Sequence, residues 1–128
     1  MSSKAIVLDA NILIRAVMGK QVRELILDNV TKVKFFAPDV AYADARKYLP
    51  KRLTDRGIDS NAGMLVLDLL EGVVQPIDAE LYDGMRQQAL QRIAVRDADD
   101  WPVLACAMKL DCPVWTEDAD FFGTGVAT

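Results

Sequence analysis

Short apolar runs with no polar face constrain this chain most. AIVLDA (5–10) ends at an aspartate, and KVKFFAP (32–38) is stopped by Pro38. VVQPI (73–77) and CPVWTED (112–118) repeat the pattern later in the chain. A strand that is apolar on both sides needs cover on both faces. Helical patterns lie between these runs. ILIRAVM (12–18) follows Asn11, a candidate N-cap. KQVRELILDNV (20–30) places Val22, Leu25 and Ile26 at helical spacing. DVAYADARKYLPKRL (39–53) opens on Asp39 as a cap candidate and runs Ala41, Ala45, Tyr48 and Arg52 down one face. Pro50 is expected to kink or split it. DSNAGMLVLDLLEG (59–72) closes on Gly72 at a C′ position. DAELYDGMRQQALQRI (78–93) repeats Tyr82, Met85, Ala89 and Ile93, and DWPVLACAMKL (100–110) carries Pro102 in its first turn, where proline is tolerated.

Strands alternating with helices predict an α/β chain: a three-layer α/β/α sandwich around a central parallel sheet of four to five strands. With 128 residues, a single domain spanning 1–128 is expected. A chain of this length buries about two-thirds of its unfolded surface, enough for a core without disulfides. No apolar run reaches the roughly 18–20 residues of a membrane span, and MSSK does not open a signal peptide, so a cytoplasmic protein is expected. The two cysteines, Cys106 and Cys112, fit a reducing compartment, and Cys106 reads as core.

The chain contains no histidine. That excludes Ser-His-Asp hydrolases, Cys-His proteases, HExxH zinc enzymes and histidine-based ribonucleases together. Hydrolytic or acid–base chemistry here falls to carboxylates and a bound metal. The net charge of −4 argues against a purely nucleic-acid-binding module, yet ARKYLPKRLTDR (45–56) gathers Arg46, Lys47, Lys51, Arg52 and Arg56.

The acids are the residues to follow. In open parallel sheets, sites form beyond the carboxyl ends of the strands. Asp9 ends the first strand, and Glu117 and Asp118 follow the last one. Asp97, Asp99 and Asp100 precede the helix leading into that last strand, so they belong to the same rim. Asp44, a turn from Ala41 and from Tyr48, is the fourth contributor. Two like charges ~4 Å apart repel by about 4 kcal/mol at an effective dielectric of ~20. A hard divalent cation relieves that repulsion, and an oxygen-only ligand set favours Mg²⁺ or Mn²⁺ over zinc.

Strand-D-A-N at 9–11, an acid in the helix after P-D at 38–39, R-D-A-D-D-W-P-V-L-A at 96–105 and W-T-E-D-A-D-F-F at 115–122 resemble the PIN-domain family in order and spacing. The resemblance implies helices around a parallel sheet and Mg²⁺- or Mn²⁺-dependent cleavage of RNA, often by the toxin of a VapC-like toxin–antitoxin pair. It implies Asp9, Asp44, Asp100 and Asp118 as metal-binding catalytic carboxylates, and Asn11, Asp97, Thr116 and Asp120 as supporting polar residues. An RNA substrate, an antitoxin protein and a homodimer are the partners it suggests. The family more often carries glutamate where this chain has Asp44, a side chain shorter by one methylene. Members also commonly add a short strand after the last acidic loop, which is expected here either to be missing or to lie beyond Thr128.

Each residue also has a plainer reading. Asp9 ends a strand, Asp100 caps a helix, Asp118 and Asp120 solvate a loop, and Asp44 is a half-exposed helix acid. Arg46, Lys47, Lys51 and Arg52 form either a solvated helix face or a track for the RNA backbone. The rival to a ribonuclease is a catalytically impaired PIN-like module that dimerises or binds a protein through its helices at 12–30 or 59–71. A phosphotransfer receiver, which wants a separate acceptor aspartate and a late lysine, fits less well, as does a dehalogenase-like phosphatase, since DANIL (9–13) lacks the second acid of DxDx[TV].

Overall fold

Every strand pairing in the sheet is parallel. The computed structural model describes residues 4–93 and 98–116. Among these, β1 (Lys4–Leu8), β2 (Val33–Pro38), β3 (Val74–Ile77) and β4 (Val114–Trp115) form one sheet in the order β3-β2-β1-β4. The chain advances outward from β1 through β2 to β3, and β4 then joins the other side of β1. This reversal makes a crevice at the carboxyl ends of β1 and β4, where ligands of open α/β sheets bind.

Seven α-helices cover the sheet among the described residues: α1 (Ala10–Met18), α2 (Lys20–Asp28), α3 (Asp39–Asp55), α4 (Ser60–Leu70), α5 (Ala79–Tyr82), α6 (Arg86–Ile93) and α7 (Trp101–Leu110). Successive strand residues point to opposite faces, so the sheet feeds two cores. Leu8, Phe35, Ala37 and Val74 pack with buried residues of α1 to α4. Val7, Ile77 and Val114 pack with Tyr82, Ala89, Ile93 and the body of α7 on the other face. The result is the three-layer α/β/α sandwich. α7 is buried from Pro102 through Ala107, which explains why it is apolar on every side. No helix among the described residues is long and apolar enough to cross a membrane.

Several local expectations are corrected. Asp9, not Asn11, caps α1: its Oδ1 accepts from the Ile12 N–H at 3.0 Å, and the helix begins at Ala10. Pro50 does not split α3, which is continuous from Asp39 to Asp55. Leu49 and Leu53 on either side are fully buried and pin both halves to the core, while Pro50 faces solvent. Packing overrides the local preference there. The buried row of α3 is Ala41, Ala45, Leu49 and Leu53, so Tyr48 and Arg52 lie off the core face. Asp39 is the first residue of α3 rather than its cap. It accepts from the Tyr82 hydroxyl at 2.5 Å and the Ala79 N–H at 3.2 Å, tying α3 to α5. The run at 78–93 is broken at Asp83–Met85 by a 3₁₀ turn containing Gly84, a weak helix former.

Candidate functional site

Asp9 and Thr116 meet at the switch point between β1 and β4. Each is the residue directly after its strand. Asp9 is 6% exposed and Thr116 5%. The Thr116 hydroxyl donates to Asp9 Oδ2, while Asp9 Oδ1 holds the first turn of α1. The carboxylate is thereby fixed through both oxygens. It sits at a helix N-terminus, where backbone N–H groups and the helix dipole favour negative charge.

Beside Asp9 opens a cavity of about 200 Å³. Asn11 from α1, Asp44 from α3 and Asp99 and Asp100 from the start of α7 line its walls with Asp9. Val40, Pro102 and Val103 supply apolar walls, and Tyr48 and Arg52 close the α3 side. Asp100 occupies the N-cap position of α7, yet its carboxylate makes no capping hydrogen bond. It is half-buried, with Oδ2 shut off from solvent. Of the plain and functional readings of this residue, the side-chain cap is the one the geometry does not support.

Three of the four expected carboxylates, Asp9, Asp44 and Asp100, therefore face one cavity. Asn11 lines it and Thr116 holds it from behind. Asp99, placed by the sequence on the same rim, lines it as well. Asp97, Asp118 and Asp120 lie outside the described residues. Asp44 is exposed rather than on the apolar face. Arg46 turns away from the cavity, paired with Asp68 at 2.8 Å and with Glu71 on and after α4. The side-chain bonds to Glu71 and Asp68 raise its pKa further. Lys47 places its ammonium 5.4 Å from the Tyr48 ring centroid.

Among the described residues no three carboxylates, cysteines or histidines converge closely enough to form a complete cage for an ion. Mg²⁺ does not require one: it keeps several waters and binds through one or two carboxylates. The donor set is hard oxygen throughout, the type that suits a divalent cation.

Sequence comparison decides the family. Residues 7–128 match the PIN domain. The chain belongs to the PIN-domain family. Its PIN fold is similar to a chain in the crystal structure of VapBC2 from Rickettsia felis bound to a DNA fragment from their promoter. The TM-score is 0.61 at 13% sequence identity, covering 91% of this chain and 90% of that one. No curated protein matches this PIN domain significantly in sequence.

Proposed function

We propose that this PIN domain is a Mg²⁺- or Mn²⁺-dependent endoribonuclease of the VapC type, the cytoplasmic toxin of a toxin–antitoxin pair. PIN domains are generally nucleases. The observation that carries the reading is Asp9, fixed through both oxygens at the sheet's switch point and facing a cavity shared with Asp44, Asp99 and Asp100. The VapBC2 likeness supports an antitoxin as partner.

A divalent metal at this site would supply charge for the phosphate and would lower the pKa of a coordinated water. Asp9, Asp44, Asp100 and Asp118 would hold it. Asp9 needs no reorganisation, because Ile12 and Thr116 preset its orientation. Asp99, at the open side of the cavity, orients water and accepts its proton. Asn11 donates to the substrate, and Thr116 keeps Asp9 in place. Asp97 and Asp120 are assigned supporting roles in this scheme, and Lys47, Lys51 and Arg52 steer the RNA backbone. A phosphate reaching Arg46 competes with Asp68 and Glu71 for it.

One observation favours a second reading, a PIN-like module acting by binding alone. Asp44 is exposed and short, and α4 presents Leu65 and Leu69, one turn apart, at 62% and 76% exposure. Such a face suits a homodimer or a protein partner. Incubation with labelled structured and single-stranded RNAs separates the two. Cleavage with Mn²⁺ that EDTA stops supports the nuclease; intact RNA in both conditions supports the binding module.

A further inference from the structure

One face of α3 carries Asp44, Tyr48, Arg52 and, at its C-cap, Arg56, each four residues from the next. Four residues rise about 6 Å along a helix, so this row spans about 18 Å. It begins in the acid cavity and ends in a wider groove of about 590 Å³ between α1 and α3. The two hollows share Ile14 and Arg52. Among the described lining residues, the far groove sets Arg15, Arg52 and Arg56 against one aspartate, Asp55. Among those of the near cavity, four aspartates face one arginine, Arg52. Charge therefore reverses along one continuous trough, with Tyr48 between the two ends at 47% exposure. The Lys47 ammonium lies over one face of its ring and adds positive charge there.

We infer that Tyr48, Arg52, Arg56 and Arg15 form the substrate-positioning track of this enzyme. Tyr48 stacks on the base next to the scissile phosphate, and the arginines hold the following phosphates. The inference rests on the ribonuclease reading for what lies at the acid end. A guanidinium repeated at each helical turn matches a ligand bearing one charge per repeat unit. An exposed aromatic between the charges matches a ligand with planar bases. A plain acidic peptide would use the arginines and leave the ring idle. The basic run at 46–56 is thereby divided: Arg46 serves the α3–α4 contact, while Arg52 and Arg56 serve the trough.

The test is binding of a labelled single-stranded RNA in EDTA, where no cleavage occurs, across a series of salt concentrations. Arg52→Gln and Arg56→Gln should each weaken binding and flatten the slope of log K against log salt by about 0.7. Tyr48→Ala should lose about tenfold in affinity with the slope unchanged, and Tyr48→Phe should bind like wild type. Asp44→Asn, on the same row at the acid end, should bind as tightly as wild type or more tightly. Circular dichroism checks that each variant is folded. Wild-type slopes in both arginine variants, wild-type affinity in Tyr48→Ala, or no RNA binding by wild type would each overturn the track. A wild-type protein that binds through these residues but does not cleave with Mn²⁺ would uphold the track and sink the nuclease. Cleavage with Mn²⁺ that Arg52→Gln, Arg56→Gln and Tyr48→Ala all leave unaffected would do the reverse.

Discussion

The Thr116 hydroxyl donates to the Asp9 carboxylate across the ends of the adjacent parallel strands β4 and β1. The bond joins residues 107 positions apart in sequence at the point where the sheet order reverses. It helps to account for a carboxylate buried at that point, because a buried charge needs hydrogen-bond partners. Thr116→Val keeps the shape and removes the donor. A hydrogen bond to a charged group contributes about 1.5–3 kcal/mol, so the variant should lose about 2 kcal/mol in urea denaturation. Unchanged stability would mean that the bond contributes nothing to holding Asp9.

The Asp9 cap makes a second pair of variants informative. Asp9→Asn retains an oxygen for the Ile12 N–H and a polar partner for Thr116. Asp9→Ala loses the cap, worth about 1 kcal/mol, and strands the Thr116 hydroxyl at a further ~1–3 kcal/mol. The alanine variant should melt well below the asparagine variant. Equal melting temperatures would contradict the observed capping geometry.

Gly63 is buried within α4 where that helix crosses α3. A Cβ there would lie 2.4 Å from Leu53 Cδ1 and 2.8 Å from Cδ2. Leu53 is fully buried, so its methyl groups must shift within a packed core to make room. Alanine would gain about 1 kcal/mol of helix propensity but incur an overpacking cost of about 1–3 kcal/mol. Gly63→Ala should therefore destabilise by about 1 kcal/mol in chemical denaturation. A more stable variant would show that α3 and α4 separate easily.

Burial pushes the Cys106 thiol up to about 12, with the neighbouring Cys112 adding to the effect. Burial and then Asp111 push Cys112 up to about 11. Unfolded thiols titrate near 8.5, so above that pH the unfolded state has released protons that the native state still holds. The stability contribution is whole below about 8.5 and is lost as pH rises through the folded values. Urea unfolding at pH 7.5 and pH 10 should show wild type losing more stability than a Cys106→Ala, Cys112→Ser double variant. Equal losses would show that the thiols do not set the alkaline limb.

The fold was legible because short apolar runs alternate with helical patterns, which points to a parallel sheet covered on both faces. Asp9 and Asp100 were legible as rim acids, since strand ends and helix starts have fixed places in such a sheet. The α3 row was misread. Ala41 and Ala45 were joined to Tyr48 and Arg52, although strict four-residue steps lead to Leu49 and Leu53. That slip hid the parallel row of Asp44, Tyr48, Arg52 and Arg56, whose spacing was present in the sequence. Thr116 as the donor to Asp9 followed from no local pattern, because the partner lies across the sheet. The Arg46 pairing with Asp68 and Glu71 depends on how α3 crosses α4, which periodicity alone does not specify.

The central claim is that Asp9 acts in phosphodiester cleavage and is more than a helix cap. Asp9→Asn separates these roles, since asparagine can still cap but binds a hard cation weakly. Cleavage of labelled RNA with Mn²⁺ should fall by more than roughly 100-fold, the upper end seen for outer-shell partners of a metal, while the melting temperature holds. Wild-type cleavage by a folded Asp9→Asn protein would contradict the account.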